Sequence, residues 1–139
     1  MEIHLKIIGI LLMILSLIHL VFPKYFDWKK DLTSLSLINR QMMYIHTFFI
    51  ALIIFLMGLL CLTSSKDLID TSLGNKISIG LFFFWFSRFL IQLFGYSKKL
   101  WQKKIFETTI HVLFLFFWIY LSSVFLLISN FSTLLKITF

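Results

Sequence analysis

The sequence predicts an all-α fold, a four-helix transmembrane bundle, on three observations. The 139 residues are 60% hydrophobic and 14% charged, where a soluble domain carries about 25% charged residues. Four apolar stretches, near 4–22, 41–62, 77–96 and 105–128, each approach the ~20 residues that a spanning helix needs. Within every stretch the small and polar residues recur three, four or seven positions apart, the spacing of one helix face. One integral-membrane domain, 1–139, takes up the whole length.

The first span, 4–22, could pass for a secretory signal. It has no small-x-small cleavage site and ends in Leu20-Val21-Phe22-Pro23, so it is expected to be retained. The loop after it alternates Tyr25, Phe26 and Trp28 with Asp27, Lys29 and Lys30, and Leu32, Leu35 and Leu37 follow at near-helical spacing. That pattern predicts a short amphipathic helix in the headgroup region. The second span, 41–62, contains Cys61, the single cysteine, which excludes an intrachain disulfide. Thr63 to Asn75 is polar, includes Gly74 and reads as a loop. The third span, 77–96, holds Arg88 inside an aromatic run, Phe82 to Ile91. A guanidinium stays charged at any reachable pH, so within a membrane it needs a partner, water or a route to the headgroups. The third loop sets Trp101 between two lysine pairs, an interfacial anchor. The fourth span, 105–128, opens with Glu107 and His111.

Charge fixes the expected orientation. The first loop carries Lys24, Lys29, Lys30 and Arg40, and the third carries Lys98, Lys99, Lys103 and Lys104. The other side has only Lys6, Lys66, Lys76 and Lys136, offset by Glu2, Asp67 and Asp70. The positive-inside rule then puts both odd loops in the cytoplasm and both termini outside, in a multi-pass protein of the inner (cytoplasmic) membrane. The net charge of +7 is spent beside the spans. It therefore points to anionic lipids, at Lys98 to Lys104 above all, and not to nucleic acid.

Four polar stripes follow from helical spacing. They are Gly9, Leu12, Ser16 and His19; Arg40, Tyr44, Thr47, Ala51 and Gly58, with His46 about a third of a turn away; Leu81, Trp85, Arg88, Gln92 and Gly95; and Glu107, His111, Phe114, Trp118 and Ser122. In depth, His46, Arg88 and His111 fall roughly 8–12 Å inside their span ends, and His19 and Glu107 lie shallower. The topology gathers all of them in the cytoplasmic leaflet. Bundles build ligand sites from facing helices in this way.

Two kinds of site are open. His46 and His111 on different helices would suit axial ligation of haem b, and His19, His46, His111 and Glu107 would make a transition-metal set. Alternatively His46, His111, Arg88, Gln92 and Tyr96 would hydrogen-bond a quinone carbonyl or a lipid phosphate, with Trp85 and Phe114 as the apolar wall. No His-Glu-x-x-His, Cys-x-x-Cys-His, Glu-x-x-His, Gly-rich phosphate loop or nucleophile elbow occurs. Arg88 and Glu107 are expected to lie close enough to interact, directly or through one water.

Four spans in this length, with Arg40 and His46 in the second span and Arg88 with Gly95-Tyr96 in the third, are similar in layout to the membrane-associated glutathione transferases and eicosanoid synthases. That resemblance implies a stand-alone membrane enzyme on a lipophilic substrate. The Asn and Glu of that family's second span fall near Phe and Ile here. The leading expectation is a subunit of a larger membrane complex, or a homo-oligomer, that binds haem, metal or quinone. An accessory subunit whose polar residues only pack is the alternative.

Overall fold

Every apolar stretch is helical in the computed structural model, which describes residues 1–137 and their side chains through Ser129. In chain order the helices are α1 (Glu2–Tyr25), α2 (Trp28–Asp31), α3 (Leu37–Thr63), α4 (Ser65–Asp70), α5 (Ser72–Phe94) and α6 (Ile105–Ile137), with a 3₁₀ turn at Lys98–Leu100. No strand occurs among the described residues. Four of the helices, α1, α3, α5 and Ile105–Ser129 of α6, are long and apolar enough to cross a membrane. The most apolar stretch of the third has the lowest mean hydropathy, 1.7 against 2.4 to 2.6 for the others, because it carries Arg88 and Gln92.

Local chemistry sets the ends. Glu2 in the first turn of α1 and Lys24 in its last match the helix dipole. Ser36 caps α3, its side chain accepting from the Asn39 N–H at 3.5 Å. Thr71 caps α5, its hydroxyl accepting from the Gly74 N–H at 2.9 Å. These caps satisfy amides that a helix start leaves without a partner. They start α3 at Leu37 and α5 at Ser72, several residues before the apolar runs begin. Most of the polar Thr63 to Asn75 stretch is accordingly helix and not loop. In the segment after α1, only Trp28–Asp31 is helical. A turn precedes it at Asp27, whose φ is 48°.

The backbone divides into two compact units, one of Ile3–Ser65 and one of Lys66 onward together with Met1–Glu2. In the first, α1 buries Leu5, Ile8, Gly9, Leu12, Leu15 and Ser16, and α3 buries Ala51, Ile54, Gly58 and Cys61. Both sets follow helical spacing, and each contains the small residues of its sequence stripe. A Cβ on Gly58 would lie 2.8 Å from the Gly9 carbonyl oxygen, and one on Gly9 would lie 2.8 Å from that of Gly58. Only glycine allows this backbone approach. Alongside it, the Ser16 hydroxyl donates to the Ala51 carbonyl at 2.8 Å. Lipid supplies no hydrophobic drive between helices, so close packing and such bonds hold the pair.

The second unit pairs α5 with α6. Asn75, Ser78, Leu81, Trp85 and Gln92 are buried on α5, and Trp118, Leu121, Ser122, Val124, Phe125 and Ile128 on α6. Aromatic stacking replaces glycine contact here. The Trp85 and Trp118 rings lie 5.2 Å apart and 9° from parallel, and Phe114 stacks on Trp118 at 5.5 Å.

Candidate ligand site on α5 and α6

Four residues of the second unit form a directed hydrogen-bond chain. Arg88, Gln92 and Tyr96 are four apart, at the C-terminal end of α5 and just beyond it. Arg88 Nη1 donates to Gln92 Oε1 at 3.2 Å, and Nη2 donates to the Tyr96 hydroxyl at 3.4 Å. Gln92 Nε2 then meets His111 Nδ1 of α6 at 2.8 Å. Gln92 is 7% exposed, while Arg88 and His111 are half-buried.

Donor and acceptor roles along the chain follow from its first member. A guanidinium only donates, so Gln92 faces Arg88 with its carbonyl oxygen and His111 with its amide. The amide donates, so His111 Nδ1 accepts. The imidazole is therefore neutral, with its proton on Nε2. Arg88 and His111 thus keep unused N–H donors, one set charged and one neutral.

Aromatic rings fix both ends. The Arg88 guanidinium carbon lies 5.1 Å from the centre of the Trp118 ring and 5.6 Å from that of Tyr96, within cation–π range. The His111 ring stacks on Trp101 at 3.9 Å and 12°. Trp101 is held in turn where its carbonyl accepts from the Thr108 hydroxyl at 2.8 Å. The indole N–H groups of Trp85 and Trp118 are buried with no acceptor among the described residues.

The sequence-predicted residues divide between the two units. Arg88, Gln92, Tyr96 and His111 come together as described. Glu107 is exposed, and no ion pair joins it to Arg88 among the described residues. Arg88 turns to Gln92, Tyr96 and Trp118, which hold the guanidinium without a partner carboxylate. In the first unit, the Nδ1–H of His19 donates to the Leu15 carbonyl of its own helix at 2.8 Å, and its ring packs on Phe22 at 4.8 Å. His46, a candidate haem, metal and quinone residue by its sequence position, is exposed. Among the described residues no three His, Cys, Asp or Glu side chains group to hold a metal. The sequence reading had assigned Trp101 to anchoring and Trp118 only to a stripe. Trp118 was legible as a site residue, since it lies seven residues from His111 on one face of α6.

No family model, curated protein or solved structure matches the chain.

Proposed function

We propose that the chain is a multi-pass subunit of a larger inner-membrane complex, and that its α5–α6 pair binds the polar head of a lipophilic ligand, a quinone above all. The Arg88–Gln92–His111 chain carries this reading. It leaves Arg88 and the His111 Nε2–H as donors, and a quinone carbonyl needs donors to hold its oxygen. The flat ring of Trp101, part-exposed beside His111, suits a planar ligand. The same chain speaks against haem or metal at His111. A metal would need the Nε2 lone pair, which moves the proton to Nδ1 and sets it against the Gln92 amide.

Orientation completes the proposal. Lys24 to Arg40 and Lys98 to Lys104 face the cytoplasm, where the second group meets anionic lipid, and both termini lie outside. Trp28–Asp31 then rests at the headgroups. A second reading, an accessory subunit, draws on the bonds that Arg88 already makes to Gln92 and Tyr96, which would suffice for packing alone.

The test uses gently solubilised full-length protein titrated with a short-tailed benzoquinone. Binding is followed by tryptophan quenching, alongside a visible spectrum and metal analysis. Arg88→Leu removes a charged donor, a bond of about 1.5–3 kcal/mol, so affinity should drop about 10- to 100-fold. His111→Phe keeps the ring and removes the donor, and should cost about 3- to 10-fold. A Soret band or stoichiometric metal would refute the quinone reading. Equal quinone binding by both variants and the parent would leave the accessory-subunit reading standing.

A further inference from the structure

An open, largely apolar concavity bordered by charged residues lies in the first unit, where the chain leaves α1. Asp27 takes a left-handed backbone, φ 48° and ψ 47°, a region that Asp tolerates better than most side chains. The reversal folds α2 back and surrounds a cavity of about 390 Å³ with Pro23, Lys24, Asp27, Lys29 and Tyr44. Trp28 braces this wall, its ring meeting Tyr44 edge-on at 5.5 Å.

The lining has a definite charge. Lys24 and Lys29 supply two positive charges and Asp27 one negative, leaving a net +1 that a single phosphodiester neutralises. A zwitterionic headgroup would bring an ammonium of its own and leave the excess in place. Tyr44 adds a neutral hydroxyl. Asp27, whose carboxylate accepts and does not donate, favours a headgroup bearing hydroxyls over one bearing a second anion. The surroundings are apolar and open, with Val21, Tyr25 and Phe26 all more than half exposed. Because the cavity adjoins the last turn of a 24-residue apolar helix, it falls at headgroup depth when α1 spans the bilayer.

We propose that this cavity is a binding site for the headgroup of an anionic phospholipid such as phosphatidylglycerol. Lys24 and Lys29 hold the phosphodiester, and the acyl chains lie over the exposed Val21 and Phe26. The site is independent of the α5–α6 cluster and uses none of its residues.

The experiment is native mass spectrometry of the full chain in detergent, titrated with phosphatidylglycerol, phosphatidylcholine or inorganic phosphate. The parent should hold one phosphatidylglycerol in preference to phosphatidylcholine. Lys24→Gln with Lys29→Gln should weaken that lipid about 30-fold, and Lys24→Arg with Lys29→Arg should retain it. The control, Lys66→Gln with Lys76→Gln, makes the same change in net charge and should bind as the parent does. Equal loss in both glutamine pairs would mean diffuse attraction and would overturn the site. Equal retention of phosphatidylcholine, or displacement of the lipid by inorganic phosphate at matched concentration, would overturn it as well.

Discussion

The protonation of His111 offers a direct check on the α5–α6 site. In the parent protein Nδ1 accepts from Gln92 at 2.8 Å, which requires the Nε2–H tautomer. The opposite tautomer would aim two donors at each other across that distance. Turning the Gln92 amide over gives no escape, because its NH₂ would then face Arg88 at 3.2 Å. The wrong tautomer therefore loses a bond of about 0.5–1.5 kcal/mol and strands a donor at about 1–3 kcal/mol. Half-burial of His111 argues for the lower ends, about 1.5 kcal/mol together, or about tenfold in population. Imidazole ¹⁵N shifts of the ¹⁵N-histidine-labelled chain in lipid nanodiscs separate protonated from bare nitrogens. His111→Phe assigns the signal among the four histidines. Gln92→Glu should invert it, because a carboxylate accepts from Arg88 and His111 alike and draws the proton to Nδ1. An Nδ1–H signal in the parent, or an unchanged one in Gln92→Glu, would refute the directed chain.

Other expectations concern packing and topology. Gly58→Ala should destabilise the chain by about 1–3 kcal/mol in detergent unfolding, since the new Cβ meets the Gly9 carbonyl at 2.8 Å. Gly80→Ala, with nothing within 4 Å of the new Cβ, should be neutral or gain up to about 1 kcal/mol from helix propensity. Trp101→Ala should remove the ring-current shift on His111 that follows from stacking at 3.9 Å, and Trp101→Phe should keep most of it. In a Cys61→Ser background, a cysteine at Lys30 should label only from the cytoplasm and one at Lys66 only from outside; the reverse pattern would undo the orientation.

Helical periodicity made much of this legible. The stripes through Ser16, Ala51, Trp85 and Trp118 are the buried faces, and Arg88, Gln92 and Tyr96 share hydrogen bonds because they are four apart. His111 meets Gln92, as expected of residues near the adjoining ends of two consecutive antiparallel spans. Periodicity could not tell which way a side chain turns at a helix end. Glu107, in the first turn of α6, is exposed. His46 lies well inside α3, but a third of a turn off the stripe that carries the buried Ala51 and Gly58, and it is exposed as well. Trp101 was hidden for another reason. Its place against His111 depends on the turn before α6, where Lys103 takes a φ of 67°, and no glycine or asparagine marks that conformation in the sequence. The helix α4 was obscured by its polar composition, which resembles a loop until Thr71 is seen capping its successor.

The glycine contact between α1 and α3 bears on biosynthesis. The Gly9 and Gly58 approach and the Ser16 bond to Ala51 all lie within Ile3–Ser65, a contiguous run. Nothing translated after Ser65 is needed to make those contacts. Chains fold unit by unit from the N-terminus as they are synthesised, so this hairpin can close inside the bilayer while Arg88 is still on the ribosome. The helix that carries the half-buried guanidinium then emerges after that pair is complete.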